Sequence, residues 1–333
     1  MSRNVVTRIL PDDHFPEWNR FVTSSPSGSI YSRTDYLDTL CSVTGGQFKV
    51  LAAYKGEQMV GGIALYEQKR TILTEITNRL LLYYNGIVLQ DNPTKYPSEE
   101  TSRVIEIMSA LEKTLSGLHY DRIRFRNRHP VNDIRIFSSR GWNIETGYSY
   151  EIDLSNLDET WGTIANNLRR LIRRCESQEF EFTEDDDFDS FYSLHREIHE
   201  RKGAPLYLPK DKFGRFFDKL KSAGLCRLYH LRTGEGQSVA TQLVLLGDHP
   251  VSHTLSAAAN EKFLNKGVNP YLRWKVFQAL SDLGYRANDL TDASLNPVSK
   301  FKSQLGGRLV TNFTVSKANA FKCKLNRILE KLR

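Results

Sequence analysis

The 333-residue sequence lacks paired cysteines, long apolar runs and an apolar N-terminal segment. Its four cysteines are scattered without a C-x-x-C pair, which argues against a zinc site and favours reduced thiols. No apolar stretch approaches the ~20 residues that a membrane-spanning helix needs, and the N-terminus has no hydrophobic core typical of a secretory signal. These absences predict a cytoplasmic protein without a bound metal.

Several common enzyme motifs are also missing. The sequence contains no G-x-x-x-x-G-K-[ST], no G-x-G-x-x-G after a strand and no G-x-S-x-G, so P-loop, Rossmann and α/β-hydrolase chemistry are excluded. His195 and His199 are four residues apart in a helical stretch, but no third ligand follows at metal spacing. Hydrophobic residues make up 40% and charged residues 26% of the chain, which is typical of a globular protein with room for two domains.

The net charge of +7 favours an anionic partner, although a mild basic excess also serves solubility alone. Arg169 and Arg173 are four residues apart on a predicted helix, so they project from one face. Two guanidinium groups at this spacing can hold phosphate oxygens. The spacing fits equally well a solvated basic face that pairs with neighbouring acids.

A similar series of elements occurs twice along the chain. Residues 50–66 and 227–246 each read as two apolar strands around a Gly-Glu turn, which predicts a β-hairpin. Each hairpin is followed by a helical stretch, a strand, a short Phe-containing segment, a glycine and a further strand. The pattern predicts an α/β (α+β) fold of two tandem domains, 1–153 and 154–333, with the ligand site where they meet.

Each domain is predicted to have a mixed, mostly antiparallel sheet flanked by helices. A helix is expected over 98–116, and another from the N-cap Ser155 through 175. Asn269-Pro270 predicts the start of a helix, and residues 317–333 a last basic helix.

Three segments supply candidate site residues in the second half. Lys302 precedes a Gly-Gly turn, which holds this lysine close to the backbone. Its ammonium could stabilise an oxyanion. Alternatively, Lys302 is an ordinary surface lysine. Arg201 and Lys202 form a basic turn that either binds an anion or simply ends a helix. Asp289 lies at the end of a predicted strand, where it either orients a reacting group or caps a turn. The first copy has Phe137-Ser138 where the second has Phe301-Lys302, so the second copy is expected to hold the charged site.

The order of these motifs resembles the FemAB-like branch of the GNAT acyltransferase superfamily. The matching segments are an N-L-R-R-x-I-R-R helix, an R-K-G-A-P turn, N-P-Y-L-R-W and F-K-S-Q-L-G-G. The resemblance covers nearly the whole chain, is stronger over 155–315, and implies two GNAT-type domains in tandem. It also implies that Lys302 stabilises charge at the reacting ester beside Phe301. The family's arginine pattern matches Arg170 to Arg173 or, one residue out of phase, Arg169 to Arg173, and it implies that these arginines bind phosphates of a nucleotide-linked or lipid-linked acceptor.

Two departures bear on the acyl donor. GNAT proteins that use acetyl-CoA carry a Gln/Arg-x-x-Gly-x-Gly/Ala loop whose amides hold the pyrophosphate, whereas the corresponding stretch here has the single glycine Gly267. This difference suits the aminoacyl-tRNA-dependent members. The long coiled-coil insertion of some bridge-forming members is absent, which leaves the use of tRNA unsupported.

The sequence-based hypothesis is transfer of an acyl or aminoacyl group onto an amine of a cell-envelope precursor, in peptidoglycan or polysaccharide synthesis. No cofactor is expected to be bound tightly, and the donor is aminoacyl-tRNA or acyl-CoA. The expected partners are a phosphorylated or lipid-linked precursor, tRNA, and transiently the inner membrane surface. The residues expected to form the site are Lys302 and Phe301 for catalysis and, for the substrate, Arg169, Arg173, Arg201, Lys202 and Asp289.

Two alternatives remain at this stage. The first is an acyl-CoA-dependent N-acyltransferase that acts on an amino sugar or another small amine. The second is a non-catalytic RNA-binding or anion-binding module that uses its basic face.

Overall fold

The chain divides into two compact units in a computed structural model that describes residues 4–319, 322, 323 and 326. The first unit contains the described residues up to Gly147 and those from Thr311 onward, and the second is Tyr148–Val310. The sequence-based domains, 1–153 and 154–333, therefore differ from these units at both ends of the second unit. The difference arises because each boundary falls inside a strand, where no loop marks it. The basic helix predicted over 317–333 lies mostly outside the described residues.

The first unit begins with short strands and helices that alternate along the chain. Its elements are β1 Val5–Ile9, α1 Phe15–Ser24, α2 Thr34–Thr44, β2 Gln47–Lys55, β3 Gln58–Lys69, β4 Thr74–Ile76, β5 Ile87–Leu89, α3 Pro97–Gly117, β6 Arg122–Asn127 and α4 Arg135–Ser139. Strand β7, Asn143–Asp153, contains the boundary between the units.

The second unit continues with α5 Leu157–Thr163, α6 Asn166–Glu176, β8 Phe180–Glu184, α7 Phe188–Lys202, α8 Lys210–Ser222, β9 Cys226–Thr233, β10 Ser238–Leu245, β11 Val251–Ala259, α9 Val268–Asp282, β12 Ala287–Asp289 and α10 Pro297–Gln304. Strand β13, Arg308–Ala318, contains the second boundary. None of the described helices combines the length and the hydrophobicity of a membrane-spanning segment.

Both units contain a mixed, mostly antiparallel sheet, as the sequence predicted. In the first unit the strand order is β1-β2-β3-β4-β6-β13, with β5 beside β3, and β4 and β6 run parallel. In the second unit the order is β7-β12-β11-β10-β9-β8, and β11 and β12 run parallel. The two predicted hairpins are present as β2–β3 and β9–β10. The tandem arrangement of an α/β module is therefore confirmed.

Each unit has its own hydrophobic core. In the first unit the core lies between the sheet and α3, and it includes Phe125, Phe137 and Trp142. In the second unit α6 and α9 supply much of the core, with Ile172 and Phe277 among its members. The equivalent short helices α4 and α10 each contribute a phenylalanine to these cores.

The helix predicted from Ser155 through 175 is two helices. Ser155 does not cap it, because its hydroxyl contacts Asp153, and Asn156 instead accepts a hydrogen bond from the Glu159 amide at 3.3 Å. Residues 164 and 165 are extended and separate α5 from α6. The amide of Ala165 donates to the Gln304 carbonyl at 2.9 Å, a tertiary contact that sequence periodicity does not reveal.

Helix α9 starts two residues before the predicted Asn269-Pro270. Its N-cap is Gly267, which has a left-handed backbone at φ 86°. A Cβ atom at Gly267 would lie 2.5 Å from the carbonyl oxygen of Leu171 in α6. The absence of a side chain therefore lets α6 and the start of α9 pack directly against each other.

We expect Gly267→Ala to lower the free energy of unfolding by at least about 1–2 kcal/mol, because alanine is strained at positive φ. Gly162→Ala is the matched control, since no heavy atom lies within 4 Å of its Cβ position in α5. That variant should be neutral or gain up to about 1 kcal/mol. Urea unfolding of both variants tests the difference, and equal stabilities would contradict it.

Candidate functional site

A cavity of about 330 Å³ lies in the second unit, beside the parallel pair of strands. Strands β11 and β12 pair over residues 251–253 and 287–289, and β11 then continues alone on this side to Ala259. The cavity is lined by residues 254–258 of β11, residues 290–292 after β12, and side chains of α7, α9 and α10. The sequence placed the site where the two modules meet, whereas every residue lining this cavity belongs to the second unit.

The first unit contains another cavity, of about 440 Å³, beside α3. Its lining includes Asp91, Glu100, Arg103 and Asp133. Asp133 pairs with Arg135 at 2.7 Å, and Arg103 donates to the carbonyl of Asn92. The charged lining is mostly acidic, and it includes no lysine or histidine. This lining therefore fits the cation-based chemistry predicted from the sequence less well than the lining of the cavity that contains Lys302.

Lys302 lies in the last turn of α10 and reaches into the cavity of the second unit. Its Nζ donates to the backbone carbonyls of Thr291 and Asp292, the latter at 2.8 Å. Helix α10 is fixed by Asn296, whose side chain accepts from the Ser299 amide at 2.9 Å, and by Pro297 in its first turn. The ammonium is thus held by backbone groups at a defined place.

The turn that offers these carbonyls has an unusual backbone. Thr291 and Asp292 both have positive φ, 48° and 47°, which few residues other than glycine adopt. Asp289 holds the turn, because its carboxylate accepts from the Thr291 amide at 2.7 Å and from the Ser149 hydroxyl at 2.5 Å. Asp289 is only 1% exposed. Asp289, which the sequence predicted to contact the substrate, therefore positions the backbone that contacts Lys302.

The environment of Lys302 favours loss of its proton. Burial and, second to it, the positive charge of Arg273 lower the pKa of Lys302 to about 8, with Asp292 and Asp289 acting in the opposite direction. The ammonium form still predominates at neutral pH. The charge of this side chain is consequently sensitive to small changes around it.

Arg273 of α9 is a second cation in the cavity lining, and it is 7% exposed. Burial lowers its pKa to about 10, so it stays charged at neutral pH. Lys202, at the end of α7, also lines the cavity, and burial lowers its pKa. Three basic side chains thus share one cavity.

Two histidines and a tyrosine also belong to the polar lining. His195 contacts the Ser256 hydroxyl through Nδ1 at 3.0 Å, and burial lowers its pKa to about 3. His199 donates from Nδ1 to the Pro205 carbonyl at 2.8 Å, and burial lowers its pKa as well. Tyr207 packs against both rings, and burial raises its pKa. These groups are neutral at physiological pH, so they do not compensate the positive charge of the cavity.

The other residues predicted for the site lie elsewhere in the second unit. Arg169 donates to the side chain of Asn166, and the Arg173 guanidinium lies 5.6 Å from the centre of the Trp161 ring. Arg201 pairs with Glu261 at 3.2 Å, and Phe301 packs against the hydrophobic core. The structure therefore brings Lys302 and Lys202 to one cavity, with Asp289 as support. It adds Arg273, His195, His199 and Tyr207, which sequence reasoning did not assign to a site.

The loop before α9 has the one glycine noted in the sequence. Residues Glu261–Lys266 form a 3-10 turn, and the backbone of Gly267 contacts Leu171. Pro270, the third residue of α9, has no N–H group to offer. The start of this helix therefore presents fewer amide donors for a pyrophosphate than a glycine-rich loop does.

Residues 163–302 match the family described as "Acetyltransferase (GNAT) domain". This range contains every residue that lines the cavity, and Lys302 is its last residue. Residues 163–302 are therefore a GNAT acyltransferase domain. The protein is accordingly an enzyme, as the sequence predicted.

Solved structures extend the similarity to nearly the whole chain. FemX is similar with a TM-score of 0.72 and 14% identity, over 92% of this chain and 96% of that of FemX. The C-terminal domain of a putative lysylphosphatidylglycerol synthetase from Agrobacterium fabrum gives a TM-score of 0.58 and 12% identity, over 96% of each chain. A tandem GNAT protein from the clavulanic acid biosynthesis pathway gives 0.52 and 10%, over 95% and 99%. Curated protein sequences give no significant match.

These likenesses confirm the FemAB-like tandem GNAT fold. At 14% identity or less they establish the fold and leave the substrate open. The described residues contain no group of three or more His, Cys, Asp and Glu side chains that could hold a metal ion.

We predict that the pKa of Lys302 responds in opposite directions to two substitutions in this GNAT-fold protein. Asp292→Asn should lower it, because a neighbouring negative charge is lost, and Arg273→Met should raise it, because a positive charge is lost. Competitive labelling with acetic anhydride across pH, read by peptide mass spectrometry, measures the midpoint for this lysine. Shifts of the same sign in both variants would contradict the described electrostatics.

Proposed function

We propose that the protein transfers an activated acyl group, as an aminoacyl ester, onto an amine of a cell-envelope precursor. The observation that carries the proposal is the ammonium of Lys302, held by two backbone carbonyls in the cavity of the GNAT domain. An ammonium has three N–H donors. Two of them contact the protein, so one is free to donate to a substrate oxygen.

The proposed reaction is nucleophilic acyl transfer. The amine nitrogen attacks the carbonyl carbon, a C–N bond forms, and the carbonyl oxygen takes the negative charge. Collapse of this intermediate re-forms the C=O bond and breaks the C–O bond of the ester, and the proton lost by the amine balances the leaving alkoxide. Lys302 would stabilise the oxyanion in a site that is partly shielded from water, where such an interaction is strongest.

The class of acceptor is proposed from resemblance and from neighbouring structures. The FemAB-like branch implies a nucleotide-linked or lipid-linked envelope precursor, and one fold neighbour is named as a putative lysylphosphatidylglycerol synthetase. Arg169 and Arg173 on α6 are the proposed contacts to the acceptor phosphates. Arg173 is exposed, so a phosphate can reach it without breaking a described ion pair.

The proposed donor is an aminoacyl ester, with tRNA as its carrier. The 3-10 turn before α9, the packed Gly267 and Pro270 support this choice over CoA, because they reduce the amides available to a pyrophosphate. An acyl-CoA donor, with an amino sugar or another small amine as acceptor, is the second candidate, and the acetyltransferase description of the matching family favours it.

A direct test supplies two donors in parallel, aminoacyl-tRNA charged with labelled amino acids and acetyl-CoA, to nucleotide-linked peptidoglycan precursor and to glucosamine. Mass spectrometry of the acceptors reports transfer. Aminoacylated precursor supports the proposal, and acetylated amine with no aminoacylation supports the second candidate.

We expect Lys302→Met to lower kcat by about 100- to 1,000-fold, because loss of one oxyanion donor has this effect in other enzymes. Lys300→Met is the matched control, since Lys300 is an exposed lysine on the same helix and its loss should leave kcat unchanged. Thermal unfolding shows whether both variants remain folded. Equal kcat values for folded Lys302→Met and wild type would remove this lysine from the mechanism.

The rate should also fall as pH rises through about 8, because Lys302 then loses the proton that makes it a donor. Lys302→Arg retains its charge well above this pH, so this decline should move to higher pH even if the absolute rate is lower. The pH profile of kcat for the two proteins provides the measurement. An identical decline in both would assign it to another group.

A further inference from the structure

Arg273 occupies a position on α9 where an apolar residue is expected. Pro270, Phe277 and Leu280, three residues before it and four and seven after it, share its side of the helix and are all buried. Arg273 itself is 7% exposed. The helix therefore places a permanent positive charge on its buried face.

No described residue compensates this charge. The Nε and Nη1 atoms of Arg273 are buried and have no hydrogen-bond partner, and no ion pair to its guanidinium is found within the described part of the chain. A buried cation without a partner destabilises the folded state. Such a group calls for a specific explanation, for example a catalytic role or a bound ion or ligand, and Arg273 in addition lines the cavity that contains Lys302.

The surroundings of Arg273 add positive charge. Lys302 and Lys202 line the same cavity, while Asp292 is the carboxylate in its lining. The carbonyls of Thr291 and Asp292 already accept from Lys302. The cavity thus offers N–H donors and a net positive charge, and an anion matches both properties.

We propose that Arg273, together with Lys202, forms a subsite next to Lys302 for an anionic group of the substrate, a carboxylate or a phosphate. The guanidinium provides several N–H donors in one plane, which suits two oxygens of one anionic group. The subsite lies in the cavity that holds the ammonium of Lys302, so the bound anion would fix the substrate beside the reacting ester. This last step rests on the proposed function, whereas anion binding by Arg273 does not.

The subsite predicts selectivity for charged substrates. A substrate whose carboxylate or phosphate is masked as a neutral amide or ester would leave Arg273 without a partner, and should bind at least about tenfold more weakly. The bound anion would also add a negative charge near Lys302 and help to keep its ammonium protonated.

Calorimetric titration of the full chain with inorganic phosphate and with acetate, at constant ionic strength, tests the subsite without a donor or acceptor. We expect saturable binding of at least one anion to wild type, and binding at least about tenfold weaker to Arg273→Met. Tighter binding of phosphate assigns the subsite to a phosphate group, and tighter binding of acetate assigns it to a carboxylate. No saturable binding of either anion, or equal binding by wild type and Arg273→Met, would overturn the proposal.

Two controls keep the result interpretable. Arg286→Met removes the same charge from an exposed position in the same unit and should bind the anion as wild type does. Arg273→Met should fold, since apolar replacement of a buried charge is often neutral or stabilising. If it does not fold, Arg273→Lys keeps the charge but loses the planar fork, and should bind several-fold more weakly.

Kinetics distinguish this inference from the proposed function. With an active donor and acceptor, Arg273→Met should raise KM for the anionic substrate more than it lowers kcat, whereas Lys302→Met should mainly lower kcat. If no donor supports transfer, the proposed function fails, and calorimetry still decides whether Arg273 binds an anion.

Discussion

Two positively charged side chains, Lys302 and Arg273, line one partly buried cavity of the second unit. Burial and mutual repulsion disfavour their charged forms, so other groups have to stabilise them. A buried ion is tolerated when hydrogen bonds and opposite charge replace water. Lys302 has two backbone carbonyls and the nearby carboxylate of Asp292, whereas Arg273 has no described partner. The protein by itself thus satisfies one of the two cations. An anionic group on a substrate would be the partner of Arg273, so this arginine would both add to the binding free energy and select for a charged substrate.

The support for Lys302 begins two residues before the turn formed by Thr291 and Asp292. Asp289 sits at the end of the short strand β12, and its buried carboxylate fixes the left-handed backbone of Thr291 and Asp292. Backbone conformations of this kind cost about 1–3 kcal/mol each and persist where the surroundings enforce them. Ser149 of β7 donates to the same carboxylate, so the sheet itself anchors the turn. Substrate would therefore meet carbonyls and an ammonium whose positions are set before it binds.

Sequence patterns predicted what depends on local periodicity and missed what depends on packing. The repeated hairpins, the long helix α3 and the segment around Phe301 and Lys302 were predictable, because strand alternation, helical spacing and turn residues report them directly. In both copies of the repeat the phenylalanine, Phe137 or Phe301, packs against a core. The next residue is Ser138 in the first copy and Lys302 in the second. Arg273 lies in the N-P-Y-L-R-W motif, but the sequence pattern does not mark it as a site residue, since its burial depends on what packs against α9. A basic residue on the apolar side of a helix was the signal available. The unit boundaries inside β7 and β13 had no such signal, because the chain continues through each as regular strand.

Two features of helix α9 bear on which substrates the protein accepts: the backbone amides at its start and Arg273 within it. In GNAT proteins that use acetyl-CoA, the loop before the corresponding helix is expected to bind pyrophosphate through backbone amides. Here Gly267 packs on α6 and Pro270 lacks an N–H, so the helix start has few amides to offer. One turn further along, Arg273 presents a buried guanidinium to the cavity. If Arg273 binds an anion as proposed, anion recognition on this helix would come from a side chain within it and not from backbone amides at its start. Such an arrangement would favour a donor or acceptor whose charge lies close to the reacting carbonyl over one whose phosphates lie at the end of a long pantetheine arm.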